Sequence, residues 1–138
     1  MKIKNNKTGF SLFELLVVIS IIGIIVAVGA VSYSSAQKKA RDVRRREDIQ
    51  AVSKALEQYY SVSNVYIVGC NPGSDYLLGG LPNDPKNTGV YIYSWLCGTD
   101  SYCVCANLEN DTGNANGVGT ATDCSFASGG YYCIQSQQ

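Results

Sequence analysis

Apolar residues are concentrated at one end of this chain. From Phe10 to Val31 the run is almost wholly apolar, with Leu15-Leu16-Val17-Val18-Ile19 followed by Ile21-Ile22-Gly23-Ile24-Ile25-Val26. At about 1.5 Å per residue, a helix of that length reaches across a hydrocarbon core of about 30 Å. Its Val and Ile residues favour strand by propensity alone. Length decides otherwise. A strand crosses lipid only inside a closed barrel, whereas a lone apolar run satisfies its own backbone as a helix.

Beyond Val31 the pattern changes. No proline occurs between Phe10 and Asn71, and within that span Gly23 and Gly29 are the only glycines before Gly69. The helix is therefore expected to continue to about Val62. Ile49, Val52, Leu56, Tyr59 and Tyr60 fall on one stripe that should pack on a sheet. Ala36, Ala40 and Val43 lie on another face, as plain helix surface or as contacts to neighbouring helices. Such a helix is on the order of 80 Å long. With only its outer half amphipathic, it does not suit a free globular protein.

Turn signals punctuate the next stretch: Asn71-Pro72-Gly73, Gly79-Gly80, Leu81-Pro82 and Asp84-Pro85. A long connecting loop is expected there, with Asn83 to Gly89 turning into a first strand, Val90 to Trp95. Cys97 to Asp100 reads as a turn, Ser101 to Leu108 as a second strand and Tyr131 to Gln135 as a last one. Residues 110–130 are rich in Asn, Gly, Thr, Asp and Ser and read as an exposed loop. The fold class is α+β: a long N-terminal helix packed against a small antiparallel β-sheet.

Charge removes some function classes. The chain has 11 basic and 11 acidic residues, and without Lys2, Lys4 and Lys7 the balance is 8 against 11. No basic surplus marks a nucleic-acid binder. Arg41, Arg44, Arg45 and Arg46 read as a solvated helix face, with Glu47 and Asp48 close enough to pair with some of them and Asp42 within the run. There is no histidine, which excludes Cys-His and Ser-His-Asp catalysis. The chain is expected not to be an enzyme and to need no cofactor.

Six cysteines, Cys70, Cys97, Cys103, Cys105, Cys124 and Cys133, all follow the apolar run. An even number in a small domain across a membrane reads as a disulfide framework, and six allow 15 pairings. A zinc site would want CxxC pairs or histidine, and neither is present. Cys103 and Cys105 point to one face if they share a strand, so they should have different partners. Disulfides would offset the small core of a head of roughly 75 residues.

Glu14 is the odd residue in the apolar run. A carboxylate costs roughly 2.5–3.5 kcal/mol at the centre of a spanning helix and less near its end. Either it reaches back to the interface, or it awaits a positive partner from a neighbouring molecule or from an amine made by cutting the chain.

Gly9-Phe10-Ser11-Leu12-Phe13-Glu14-Leu15-Leu16-Val17-Val18-Ile19 resembles the processing site of type IV prepilins and the related pseudopilins. The resemblance implies that prepilin peptidase cuts between Gly9 and Phe10, that Phe10 is then N-methylated, and that Glu14 pairs with the N-terminal amine of the adjacent subunit during assembly. Ala40 to Tyr60 is again similar to the second half of a pilin helix, so the likeness covers residues 8 to about 60. The implied layout is a leader at 1–9, a transmembrane and assembly helix at 10–31, its amphipathic continuation at 32–62, and a disulfide-bonded head at 63–138. As in many pilins, Cys124 would pair with Cys133. Cys97 with Cys103 could then staple a hairpin, leaving Cys70 with Cys105.

The implied partners are other copies of the chain in a helical filament, the prepilin peptidase, the assembly machinery of the inner membrane, and the membrane itself before assembly. The N-terminus would lie in the cytoplasm and the head outside. Lys38, Lys39, Arg41, Arg44, Arg45 and Arg46 outnumber the three leader lysines and by charge counting alone would reverse that topology. The cut on the cytoplasmic face and the need of the cysteines for an oxidising far side weigh the other way.

The resemblance implies a structural subunit of a pilus filament for adhesion, motility or DNA uptake. The alternatives are a pseudopilin of a type II secretion or competence system, or a minor pilin or adhesin. Asn110, Asp111, Asn114, Asn116 and Asp123 offer oxygen ligands, and some pseudopilins bind calcium near the sheet. Asp111 and Asp123 are thus weak calcium candidates, with no EF-hand spacing. Asn110-Asp111-Thr112 fits the N-glycosylation sequon.

Overall fold

The computed structural model describes residues 9–138, with the backbone alone at Val31. Most of the expected leader, residues 1–8, lies outside the described residues. Two units are each compact in themselves, one ending at Ala36 and the other running from Gln37 to Gln138.

One helix, α1, is assigned to Leu12–Ser63. It begins two residues later than the apolar pattern predicts, because the Ser11 side chain caps it. It ends where Asn64 takes a φ of 57° and its N–H donates to the Tyr60 carbonyl at 2.8 Å. A left-handed residue of this kind is a common helix stop. In the first unit every side chain from Leu12 to Ala30 is exposed. This segment is long and apolar enough to cross a membrane.

In the second unit the C-terminal part of α1 packs on a five-stranded antiparallel sheet. The strands are β1 (Ser94–Cys97), β2 (Tyr102–Asn107), β3 (Gly113–Ala115), β4 (Phe126–Gly129) and β5 (Tyr131–Gln135). Their order in the sheet is β1-β2-β5-β3-β4. Ile49, Val52 and Leu56 are fully buried, in one cluster with Tyr66, Tyr93, Tyr102, Val104 and Ala106. The helical stripe read from the sequence therefore does meet a sheet. Tyr60 packs at its margin, and Tyr59 meets Tyr76 edge to face.

Strand β2 is buried on both faces, and alternation explains how. Tyr102, Val104 and Ala106 belong to the helix-side cluster. Cys103 and Cys105 belong to a second cluster with Ala115, Cys124 and Cys133, edged by Leu96, Val118 and Tyr131. The cover on this outer face comes from the Asn- and Gly-rich segment, so residues 110–130 are not simply an exposed loop. They form β3 and β4 and return across the sheet between them. Propensity hides these strands, since Gly-Asn-Ala and Phe-Ala-Ser-Gly are poor strand formers. Close backbone approach holds them instead: a Cβ on Gly113 would run into the Tyr131 carbonyl. The Asn114 amide extends the ladder, accepting from the Cys133 N–H and donating to the Cys133 carbonyl, both at 2.8 Å.

The disulfides are Cys70–Cys97, Cys103–Cys124 and Cys105–Cys133. All three expected pairings are corrected. Cys105 and Cys133 are directly opposite on β2 and β5, with Cα atoms 4.2 Å apart. Cys124 sits on the covering segment and reaches Cys103 one step along the same face. Cys70 ties the connecting segment to the end of β1. Cys103 and Cys105 share a face and have different partners.

The first strand is also displaced. Val90 to Tyr93 lie outside β1. Gly89, at φ 60°, and a Tyr91 N–H bond to the Thr88 carbonyl make a turn there, so pairing with β2 starts only at Ser94. Cys97 then belongs to β1, and the hairpin turn is closed by the Gly98 N–H on the Ser101 carbonyl at 2.9 Å.

Candidate functional site

The expected cleavage site stands at the edge of regular structure. Gly9, Phe10 and Ser11 are exposed and outside any helix, with Phe10 87 % exposed. Ser11 Oγ accepts the Phe13 N–H at 3.3 Å, and the Glu14 carboxylate accepts the Ser11 N–H at 2.9 Å. The Ser11 carbonyl takes the Leu15 N–H at 3.2 Å as the first helical bond. This is a variant of the capping box: Glu14 takes the N–H of Ser11, while the serine hydroxyl takes the N–H of Phe13 rather than that of Glu14. Glu14 therefore has a local partner in the isolated chain, apart from any contact to another subunit. The signal was present as Ser-x-x-Glu before an apolar run.

In the head, the arginine run is mostly not a solvated face. Arg45 is fully buried, and its partners are not Glu47 and Asp48. Its Nε and Nη2 fork onto Asp84 at 2.6 and 3.0 Å, while Nη1 reaches Asp42 at 2.8 Å and Glu109 at 2.9 Å. Arg41 forks onto Glu109 at 2.6 and 2.8 Å. Asp42 also accepts the N–H groups of Glu109, Asn110 and Asp111. Asp84 accepts those of Lys86 and Asn87. Asp48 instead accepts the Tyr93 hydroxyl at 2.7 Å. Arg44 and Glu47 are exposed.

These charges suit burial because each is answered. Hydrogen bonds from Arg41, and then those from Arg45, hold the Glu109 carboxyl down at about 2 against the opposing effect of burial. Burial works against the charge on Asp84, yet Arg45 and two backbone N–H groups hold its carboxyl below the usual range. Burial likewise opposes the charge on Arg45, and its three carboxylate partners outweigh it and raise its pKa. The network pins three segments together: α1, the turn at 84–87 and the turn after β2. A second knot lies nearer the C-terminus. Glu57 accepts the Tyr66 and Tyr102 hydroxyls and the Gln137 N–H. Burial above all, then Glu57, pushes the Tyr66 phenol up.

The four sulfurs of Cys103, Cys105, Cys124 and Cys133 lie within 4.8 Å of one another, spent as two disulfides. The calcium candidates are not brought together in any such group among the described residues. Asp111 faces Arg46 at 3.7 Å, and Asp123 closes a turn with Thr120. Asn110 is exposed beside Asp111.

A family model described as the prokaryotic N-terminal methylation motif matches residues 4–30. The chain is 34 % identical over 107 residues to the type IV wide pilus major component PilA4 of Thermus thermophilus, covering 78 % of each protein. It is 32 % identical over 87 residues to the type II secretion system core protein G of Vibrio cholerae, covering 63 % of this chain and 56 % of that relative. No solved structure gives a significant match. With an apolar N-terminal helix, a methylation motif and a head of helix on antiparallel sheet, the chain belongs to the type IV pilin and pseudopilin family.

Proposed function

We propose that this chain is the structural subunit of a type IV pilus filament. It is cut between Gly9 and Phe10 by prepilin peptidase, methylated on Phe10 and polymerised through its N-terminal helix. The observation that carries the reading is the contrast between the two units. The head closes its own core, whereas the apolar side chains from Leu12 to Ala30 are exposed among the described residues. Lipid covers such a surface before assembly, and other copies of the same helix cover it afterwards. The chain is then a peptidase substrate with its N-terminus in the cytoplasm, and its head faces the oxidising side that three disulfides require. It carries out no catalysis of its own.

Glu14 sets the register between subunits by pairing with the Phe10 amine of its neighbour. Glu14→Gln tests this, because it removes the charge while its amide oxygen can still cap Ser11. The expected result is processed chain held in the membrane with sheared fibre strongly reduced. Fibre at wild-type abundance from Glu14→Gln would contradict the role given to Glu14.

A second reading, a pseudopilin of a type II secretion system, is favoured by the likeness to core protein G. The pilin reading takes precedence because the pilus component matches over more of both chains.

A further inference from the structure

We infer that Ser11 is a positioning residue for the processing step: its cap with Glu14 starts the helix at Leu12 and keeps the Gly9–Phe10 peptide bond outside it. The inference rests on the proposed cut between Gly9 and Phe10.

A peptidase must take hold of an accessible backbone around the bond it breaks. A helical bond is poorly placed for that, because its carbonyl and N–H are engaged within the coil. The apolar segment gives the helix every reason to grow towards the N-terminus. The first N–H groups of a helix lack intrahelical partners, and near lipid an unanswered N–H is costly. One escape is another turn upstream, which would draw Phe10 and Gly9 into the helix. The cap supplies a different answer. Ser11 Oγ takes the Phe13 N–H, and Glu14 takes the N–H of Ser11 itself. With those donors satisfied the helix stops at Leu12, and Gly9 and Phe10 stay exposed. Glu14 thus has two separable duties. Its oxygen caps the precursor for cutting, and its charge serves assembly.

The test uses the full-length precursor in lipid vesicles, with purified prepilin peptidase and cleavage followed by intact mass. Ser11→Ala removes the cap and adds a strong helix former. The cut should slow about fivefold, the factor that matches the loss of a typical N-cap. Ser11→Thr and Glu14→Gln retain cap bonds and should restore the rate towards wild type, whereas Glu14→Ala should not. Amide exchange should show Leu12 and Glu14 newly protected in Ser11→Ala, because one more turn upstream gives their N–H groups helical carbonyl partners. A Ser11→Ala precursor cut at the wild-type rate, or a Ser11→Thr precursor as slow as Ser11→Ala, would overturn the inference while leaving the cut itself established. A wild-type precursor left uncut at Gly9–Phe10 would overturn the processing reading and this inference with it.

Discussion

Arg45 and Asp84 meet as a two-pronged pair, Nε to Oδ2 at 2.6 Å and Nη2 to Oδ1 at 3.0 Å, with both side chains wholly buried. They are 39 residues apart in the chain and join the helix to the turn that leads into the sheet. Removing one member of a buried, fully answered ion pair leaves the other stranded, at a cost of about 3–5 kcal/mol. Arg45→Met takes the arginine partner from Asp84 and Asp42, leaving them backbone N–H groups alone, while Glu109 keeps Arg41. Denaturant unfolding of the full chain in detergent, followed by Trp95 fluorescence, should show a loss in that range. A change under about 1 kcal/mol would mean that the cluster does not hold the head together.

The same cluster sets the acid limit of the head. The Glu109 carboxyl titrates near 4.5 when unpaired and at about 2 in the fold. A depressed carboxylate contributes stability that is complete above its unfolded value and drains away as pH falls towards its folded one. Asp84 acts in the same direction. The unfolding midpoint should therefore be steady at neutral pH and fall between about pH 4.5 and pH 2. Glu109→Gln should flatten that limb as well as lower the neutral value. An acid limb unchanged in Glu109→Gln would place the titrating group elsewhere.

Disulfide mapping tests the outer face of the sheet. Peptides from unreduced protein should link Cys70 to Cys97, Cys103 to Cys124 and Cys105 to Cys133. Replacing Cys103 and Cys124 together by serine should cost about 2–5 kcal/mol and open the segment around Val118 to proteases. Recovery of a Cys124–Cys133 peptide would contradict the described cover.

Gly113 is a steric prediction. Its missing side chain is what lets β3 lie against the Tyr131 carbonyl. Gly113→Ala should destabilise the head by about 1–3 kcal/mol, the range for overpacking a tight contact. Gly98→Ala meets only ordinary contact, with the Ser101 carbonyl 3.7 Å from the added Cβ, and should be far milder. Equal costs for the two would remove the steric account of β3.

The long helix and the last strand were legible because their signals are local. Absence of proline, a stripe at Ile49, Val52 and Leu56, and a compact Tyr-Tyr-Cys-Ile-Gln run each declare their state within a few residues. The N-terminal methylation motif was legible, whereas the Ser11–Glu14 cap was hidden behind the charge of Glu14, which by itself points to a partner outside the chain. What was not legible depends on distant partners. Nothing around Arg45 signals that residues 84 and 109 will arrive to bury it, and the nearer Glu47 and Asp48 were the natural candidates. The pairing of Cys103 with Cys124 depends on β3 and β4, strands built from residues that favour loops. With those strands unseen, Cys124 had no path across the sheet.

The most direct test of the central claim is the N-terminus and intact mass of this chain in fibres sheared from native cells, compared with the membrane fraction. The account predicts abundant sheared protein beginning at N-methylated Phe10, with three disulfides intact. A chain that still begins at Met1 in both fractions would contradict it.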